Sequence, residues 1–312
     1  MIAIKGEDTK KLSRVEWLDA RRNSIGGSDV AGILGMTDYS SPLKVYLDKK
    51  GLGNDDEDSE AAFHGRELEA YVARLFTLKT GKKVRKCNYI LIHPEYSFMT
   101  ANIDRFVVGE DAFLECKTAS EYRKDEWEGD SVPDAYVAQY THYMAVTGMR
   151  KGYVAAFIGG NKFHWVEIER DESLVDELIR REKDFWYNYV LKNIPPEPNG
   201  SKCDNKILFD NYPPSETEEK TIKIPEEMTA LYIEKKDIDK EMEKLETRKN
   251  QINQLFKEAV GNNYYGKNST IKITWKPSHK TEVDMKALQK EIDLTPYKVT
   301  KPTKYFRVSE VK

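Results

Sequence analysis

The stretch Phe113–Ser120, FLECKTAS, places two charged residues in the middle of a strand-like apolar segment. Residues two apart in a strand share a face, so Glu115 and Lys117 point to one side and Cys116 points to the other. A buried acid and lysine need partners, and a metal ion or a phosphate would supply them. On an exposed face the same two residues would form a weak surface ion pair, and the pattern E-x-K is common by chance.

The segments around this stretch alternate between helical and strand-like spacing. Ser28 is expected to open the second helix as its N-cap. The strand-like segments are 83–93, 97–109, 112–120, 152–160 and 162–170, and the helical ones are 14–35, 41–51, 61–80, 133–148 and 171–193. This order predicts an α/β (mixed α+β) fold, with a mixed central sheet flanked by helices.

Proline residues predict the division of the chain into domains. The polar, proline-rich segment 196–220 is typical of a linker, so we predict one domain over 1–195 and a C-terminal appendage over 221–312. An acidic run at 54–60 is predicted to be a solvated loop.

The appendage begins with a segment, 226–260, that contains no Gly or Pro and predicts a helix of about 50 Å. Its heptad of apolar residues consists of Leu231, Ile238, Leu245 and Ile252. Because half of this seam is polar, packing on its own chain is favoured over a self-associating coiled coil. A small strand and a basic aromatic tail at 301–308 follow, and the appendage is expected to serve the oligomer, DNA binding or a protein partner.

Composition limits the classes of function. The chain has 312 residues, of which 39% are apolar and 33% charged, and its net charge is -3. No segment approaches the roughly 18 apolar residues of a membrane span, so a cytoplasmic location without a membrane is expected. The three cysteines are far apart, which makes a disulfide framework or a zinc ribbon improbable. With this charge, any nucleic-acid site has to be a local basic patch.

An acid on the preceding strand completes a possible metal site. A short hairpin brings Asp104 alongside Glu115 on one face of the sheet. Two carboxylates on neighbouring strands offer oxygen ligands to a hard cation such as Mg²⁺ or Mn²⁺. A lysine beside them would hold a water molecule or neutralise phosphate charge.

The pattern D-x10-E-x-K from Asp104 to Lys117 resembles the PD-(D/E)XK nuclease core, although Ile103 stands where that core has proline. Over about 12–193 the chain more specifically resembles the lambda exonuclease and YqaJ-type viral recombinase family. The matching pieces occur in order: WLDARRNSIGGSDVAGILG, SPLKVYLDKKG, HGRELEAYVARLFTLKTG, TANIDRF, LECKTAS and YVAQYTHYMAVTG. The resemblance implies a restriction-endonuclease-like core.

The resemblance also implies roles for individual residues. Asp104 and Glu115 would bind metal, the backbone carbonyl of Cys116 would be a further ligand, and Lys117 would be the catalytic lysine. The acid of the family's G-x-x-x-E helix falls on Glu69, with Glu67 ranked second.

Further implied roles lie on the helix after the core strands. Gln139 matches the family's active-site glutamine, and Tyr136 and Tyr143 on the same helix are expected to contact DNA. His142 is either structural or in contact with substrate, and His64 has no assigned role.

The segment ARRNSIGGSDVAG carries a second signal. A helix N-terminus at Ser28, with Gly26 and Gly27 allowing close approach and Arg21 supplying charge, would bind an anion. A plain N-cap beside a surface arginine is the alternative. The resemblance implies that Arg21, Gly27 and Ser28 form a pocket for a 5′-phosphate.

The implied activity is an Mg²⁺-dependent 5′-to-3′ exonuclease, with Mn²⁺ as a substitute metal, that acts on linear double-stranded DNA. Family members form ring trimers and supply 3′ overhangs to a single-strand annealing protein in phage recombination, so a phage or prophage protein is expected. The alternatives are an endonuclease of the same superfamily and, less favoured, a noncatalytic DNA-binding scaffold.

Overall fold

Residues 4–53, 60–212, 221–299 and 308–309 are described by the computed structural model. The chain divides into two units, Met1–Tyr212 and Pro213–Lys312. The predicted acidic loop lies outside the described residues except for Glu60, and the basic tail does so except for Val308.

A five-stranded mixed sheet runs through the N-terminal unit in the order β2-β5-β6-β7-β8. Its strands are β2 (Val84–Lys86), β5 (Arg105–Val107), β6 (Ala112–Ala119), β7 (Lys151–Ile158) and β8 (Lys162–Glu169). Strands β6 and β7 are parallel over eight residue pairs, and the other neighbours are antiparallel. The mixed central sheet predicted from the sequence is therefore confirmed.

A smaller antiparallel sheet has the order β1-β3-β4. It contains β1 (Ile4–Asp8), β3 (Tyr89–Ile92) and β4 (Thr100–Ala101). The segments 83–93 and 97–109, each predicted as one strand, are in fact two strands each, and the chain passes from one sheet to the other within both. The apolar alternation continues across both breaks, so periodicity alone could not reveal them.

Seven helices of the N-terminal unit surround these sheets in the described part of the chain. They are α1 (Arg14–Arg22), α2 (Gly27–Ile33), α3 (Pro42–Lys49), α4 (Glu60–Thr80), α5 (Asp134–Thr147), α6 (Glu172–Phe185) and α7 (Lys202–Asn211). A π-helical turn, Trp186–Val190, extends α6. None of the described helices, in either unit, has the length and apolar character needed to cross a membrane.

The predicted start of the second helix was wrong. Gly26 is the N-cap of α2 and Ser28 is its second residue. The Asp29 carboxylate reaches back and accepts the Gly26 N–H at 2.8 Å, so the cap is provided from inside the helix. A side chain at the N-cap position is therefore not needed.

Helices cover both faces of the large sheet. On one face Val72 and Phe76 of α4 pack in a buried cluster with Leu114. On the other, the Phe113 ring meets the Tyr143 ring of α5 edge-on, with centroids 5.8 Å apart. Successive residues of β6 thus alternate between the α4 side and the α5 side.

The N-terminal unit extends beyond the predicted domain boundary at 195. Helix α7 occupies part of the predicted linker, and its buried Asp204 accepts hydrogen bonds from the Ser41 hydroxyl at the N-cap of α3 and from the Asn199 N–H. These bonds hold α7 to the unit, whereas proline content predicted a linker. Pro213 and Pro214 lie outside the described residues.

The C-terminal unit contains the long helix α8 (Met228–Val260), a hairpin of β9 (Tyr265–Lys267) and β10 (Lys272–Thr274), and α9 (Met285–Glu291). The long helix was predicted almost to its bounds. Val260, at the C-terminal end of α8, packs near Gly266 of the hairpin, while the apolar heptad is exposed, so packing of the heptad on its own chain stays a prediction.

Candidate active site

Asp104 lies between β4 and β5, where the chain leaves the small sheet and enters the large one. Its Oδ2 accepts a hydrogen bond from the Cys116 N–H at 2.7 Å. Burial, followed by the charges of Glu115 and Glu69, raises the pKa of Asp104 well above its usual value. The three acids therefore share one region of negative potential.

Glu115 and Lys117 project from β6 toward α5, and both are largely buried. The Lys117 Nζ donates to Glu115 Oε1 at 2.8 Å. Burial alone would lower the pKa of Lys117, but the charge and hydrogen bond of Glu115 raise it above its ordinary value. Lys117 is thus a fixed ammonium group beside two carboxylates.

Gln139 closes this network from α5. Its Oε1 accepts from Lys117 Nζ at 2.7 Å, and its Nε2 donates to Glu115 Oε1 at 2.9 Å. The same Nε2 donates to the Tyr143 hydroxyl at 2.8 Å. The structure therefore brings together Asp104, Glu115, Lys117 and Gln139, which the sequence analysis had selected.

Tyr136 lies beneath the lysine. The Lys117 Nζ is 4.7 Å from the centroid of the Tyr136 ring, which packs in turn against the buried Trp127. A cation over an aromatic face is attracted to it, so Tyr136 helps to hold the ammonium in place. This contact was not foreseen, because Tyr136 was predicted to contact DNA.

Glu69 projects from α4 and forms an ion pair with Arg105, and the Lys86 Nζ is 3.9 Å away. The sequence ranked Glu69 above Glu67 as the acid of this helix. In the structure Glu67 is exposed and Glu69 is half-buried. His64 is exposed and lies 3.7 Å from Glu60. Arg105 was not selected from the sequence, because its pairing with Glu69 depends on how α4 lies across the sheet.

One observation tests whether these residues suit a metal ion. The Glu115 Oε2 is buried and has no hydrogen-bond partner in the part of the chain that the structure describes. A buried carboxylate oxygen without a donor suits a bound cation. No group of three or more His, Cys, Asp or Glu side chains among the described residues is arranged to hold a metal. Magnesium is often held by only two carboxylates, with waters and substrate phosphate as its other ligands. Asp104 and Glu115 therefore fit it.

The cysteine between the acid and the lysine belongs to the opposite face. Cys116 packs on the α4 side with Leu114 and Val72. Burial, followed by the negative charge of Asp104, raises the pKa of its thiol far above the usual range. The thiol is therefore a neutral packing group, and only its backbone faces the acids.

A cavity of about 100 Å³ lies between α1, α2 and α5. Its lining consists of Trp17, Arg21, Ser24, Gly26, Gly27, Ser28, Thr100, Asn102 and Tyr143. The Arg21 guanidinium donates to the Ser28 hydroxyl at 2.9 Å and lies 4.7 Å from the centroid of the Trp17 ring. The three residues predicted for a phosphate pocket, Arg21, Gly27 and Ser28, thus line one cavity.

Gly27 has a packing role in addition to lining the cavity. A Cβ added there would lie 2.5 Å from Cε1 of Tyr143, so the close approach at Gly27 is made by that ring. The predicted anion site at the N-terminus of α2 is also changed, because the Asp29 carboxylate occupies the N-cap. Arg21 is therefore the cation of this cavity.

Tyr143 connects the cavity to the acids. It lines the cavity, and its hydroxyl accepts from Gln139, which also contacts Glu115. Burial and then the charge of Glu115 raise the pKa of Tyr143 well above its usual value, so it remains a neutral phenol. Asn102, whose Oδ1 is buried without a hydrogen-bond partner among the described residues, also faces this cavity and was missed from the sequence.

His142 lies behind the site and is completely buried. Its Nδ1 is 2.7 Å from Glu182 of α6, and its Nε2 is 2.8 Å from the carbonyl oxygen of Thr100. These partners make it a structural residue, which was one of the two alternatives predicted.

Comparison with known proteins places the chain in a family of viral recombinases. A sequence profile of the YqaJ-like viral recombinase domain matches residues 16–150. An uncharacterized protein YqaJ of Bacillus subtilis (strain 168) is 39% identical over 309 residues, which cover 96% of each chain. The protein belongs to the YqaJ family.

Two solved structures with partial similarity are exonucleases by name. An alkaline exonuclease (LHK-Exo) from Laribacter hongkongensis has a TM-score of 0.48 and 20% identity, and the match covers 58% of this chain and 94% of that one. A phage-related exonuclease from Haemophilus somnus 129PT has a TM-score of 0.44 and 14% identity, with coverage of 55% and 96%. Since both scores are below 0.5, the family assignment depends on the sequence relative.

Proposed function

We propose that this protein is a metal-dependent deoxyribonuclease that degrades one strand of linear double-stranded DNA in the 5′-to-3′ direction. The observation that carries the proposal is the network of Glu115, Lys117 and Gln139 beside Asp104, with one buried carboxylate oxygen lacking a donor. Membership of the YqaJ family and the names of the partially similar structures support the same activity.

Asp104 and Glu115 would hold Mg²⁺, or Mn²⁺ in its place, together with the backbone carbonyl of Cys116. Glu69 would join them only by giving up its contact with Arg105. A bound divalent ion supplies Lewis-acid activation of the phosphodiester and charge stabilisation. The protein itself supplies the positions of the acids, fixed by the Cys116 N–H and by Gln139.

Lys117 and Gln139 would orient the attacking water and the scissile phosphate. Two of the three N–H bonds of Lys117 are directed to Glu115 and Gln139, so its ammonium cannot rotate freely. A positive charge held at this point lowers the cost of negative charge that develops on the phosphate. We expect Lys117 to position the water and to neutralise negative charge on the phosphate.

The cavity around Arg21 would bind the 5′-terminal phosphate. Arg21 is held by Ser28 and by the Trp17 ring, so its guanidinium is preorganised for a forked contact to a phosphate. Tyr143 and Gln139 join the cavity to the acids. An end held there would place the neighbouring linkage near the acids and favour repeated removal from that end.

From the family resemblance we further propose that the product is a 3′ overhang for a single-strand annealing protein in phage-type recombination. The same resemblance suggests assembly into a ring-shaped trimer on duplex DNA.

The test is digestion of linear duplex DNA carrying a 5′-phosphate or a 5′-hydroxyl, with Mg²⁺ and with chelator. Closed circular duplex is the substrate control. Lys117→Ala is the inactive variant, and Lys151→Ala is its match, since Lys151 is a half-exposed lysine of the same sheet that pairs with Glu167. We expect metal-dependent loss of the 5′-phosphorylated strand, abolished by Lys117→Ala and retained by Lys151→Ala.

Other outcomes have definite meanings. Cutting of closed circles would replace the exonuclease with an endonuclease of the same superfamily. DNA binding without cleavage of any substrate in Mg²⁺ or Mn²⁺ would indicate a noncatalytic scaffold. Full activity of Lys117→Ala would remove the lysine from the mechanism.

A further inference from the structure

The long helix α8 exposes an apolar stripe. Leu231, Ile238, Leu245 and Ile252 recur every seven residues, and between 37% (Ile252) and 64% (Leu245) of each side chain is exposed. The helix has 33 residues and is about 50 Å long. A strict seven-residue repeat of this length is typical of a helix that pairs with another helix.

The companion positions of the heptad constrain the partner. They carry Met242 and Phe256, which are exposed, alternating with Lys235 and Lys249. A covering surface has to bury the apolar residues and also accommodate two lysines along the same line. We refer to these two rows of heptad residues as the α8 seam.

We propose that the α8 seam pairs with the α8 seam of a second copy of this chain as an antiparallel coiled coil. This inference concerns the C-terminal unit and does not rest on the proposed nuclease activity. Charge complementarity along the helix supports both the identity of the partner and its direction.

A parallel pair would bring like charges together at two of the companion positions. In that arrangement each companion position faces its own copy, so Lys235 meets Lys235 and Lys249 meets Lys249. The flanking positions would also repel, because Glu241 would lie opposite Glu246 of the second helix. Like charges directly opposed across an interface disfavour association.

An antiparallel pair with coincident centres removes these conflicts in the seam. Met242 then packs against Leu245, Lys235 against Ile252, and Lys249 against Ile238, so each lysine lies over an isoleucine. Lysine stems cover apolar surface while the ammonium stays in water. A two-fold axis relates the two helices, so every contact occurs twice.

The flanking charges become complementary at one of the two flanks. Glu241 lies opposite Arg248 of the second helix, and the two-fold axis makes this contact twice. Asp239 and Glu246 approach each other at the other flank, but each already pairs within its helix, Asp239 with Lys235 at 2.6 Å and Glu246 with Lys249 at 3.3 Å. The four side chains carry no net charge, with the two acids lying between the two lysines.

The first experiment is the mass of the full-length protein by light scattering after gel filtration. Leu245→Asp places a charge in the seam at an exposed position, so folding of the chain is retained. We expect the mass to fall to half of the wild-type mass, from two chains to one or, with the N-terminal trimer proposed above, from six chains to three. Lys244→Asp, on the outer side of the same helical turn, is the matched control and leaves the mass unchanged.

The second experiment tests direction. Glu241→Arg faces Arg248 in the antiparallel pair and weakens association roughly tenfold, whereas in a parallel pair it faces Glu246 and strengthens it. Adding Arg248→Glu restores the antiparallel pair. A wild-type mass unaffected by Leu245→Asp would overturn the coiled coil, and tighter association of Glu241→Arg would overturn its direction.

Discussion

Adding a single methyl group at Gly27 should lower the rate of cleavage much more than it lowers the stability of this protein. A Cβ added at Gly27 would lie 2.5 Å from Cε1 and 2.9 Å from Cζ of Tyr143, and 3.0 Å from Cγ of Gln139. Ordinary carbon contacts are about 3.5 to 4.0 Å. The Tyr143 ring therefore has to move by about 1 Å in the Gly27→Ala variant.

The surroundings limit that movement. The Tyr143 ring is 4% exposed, and the Phe113 ring packs edge-on against it. Overpacking of a core costs about 1–3 kcal/mol, and replacing glycine by alanine in a helix returns up to about 1 kcal/mol. We therefore expect Gly27→Ala to lower the free energy of unfolding by only about 0–2 kcal/mol.

The effect on cleavage should be larger. Tyr143 holds Gln139, and Gln139 holds both Glu115 and Lys117, so a displaced ring disturbs the whole network. A displacement of about 1 Å at a catalytic group reduces the rate by roughly 10²-fold. The assay is the rate of digestion of 5′-phosphorylated linear duplex, measured beside urea unfolding of the same preparation.

A matched glycine provides the control for stability. A Cβ added at Gly65 of α4 would meet its nearest atom, Thr118 Oγ1, at 3.9 Å, so Gly65→Ala should unfold at the same or a higher urea concentration. Wild-type cleavage by a folded Gly27→Ala protein would refute the link between the cavity and the acids.

Three further predictions concern charge. Asp104→Asn should raise the stability of the metal-free protein above neutral pH. The same variant should lose both cleavage and the rise in Tm that Mg²⁺ induces, which calorimetry with and without Mg²⁺ measures. The sign follows because the raised pKa of Asp104 favours the protonated acid in the folded state, so the free energy of unfolding falls as pH rises above about 4. Glu182→Gln should lower the free energy of unfolding by about 3–5 kcal/mol, since it leaves a buried His142 charge unpaired. Burial acts to lower the pKa of His142, but Glu182 raises this pKa overall. Wild-type stability should therefore fall as pH rises past about 6.5. Urea unfolding at several pH values should show that the Glu182→Gln variant has lost this fall. Arg21→Lys should reduce the preference for 5′-phosphate over 5′-hydroxyl ends in the digestion assay, because an ammonium lacks the planar fork; an unchanged preference would place the phosphate elsewhere.

The sequence predicted the site better than it predicted the strands. Glu115 and Lys117 were assigned to one face because the period of a strand is two, and the structure places both toward α5. The motif resemblance predicted that Glu115 and Lys117 lie beside Asp104 and Gln139. The ion pair of Glu69 with Arg105 was not predictable, because it depends on how α4 lies across the sheet.

The errors have a common cause in long-range packing. The breaks within 83–93 and 97–109 occur inside continuous apolar alternation, and only the pairing of strands decides which sheet each half joins. Helix α7 was assigned to a linker because its attachment consists of long-range polar contacts, such as that of the buried Asp204 with the distant Ser41. The sequence around Asp204 and around Ser41 contains no motif that predicts this contact.

The break that sequence analysis missed is also what creates the site. The register of β5 with β6 ends at Arg105 and Leu114. The next strand N–H toward β5, that of Cys116, is accepted by the Asp104 side chain. Asp104 therefore satisfies a backbone donor where the strands part, and the same carboxylate is one of the two proposed to hold the metal. An alanine at this position would remove both functions at once, so Asp104→Asn, whose amide oxygen still accepts the Cys116 N–H, is the substitution that isolates the charge.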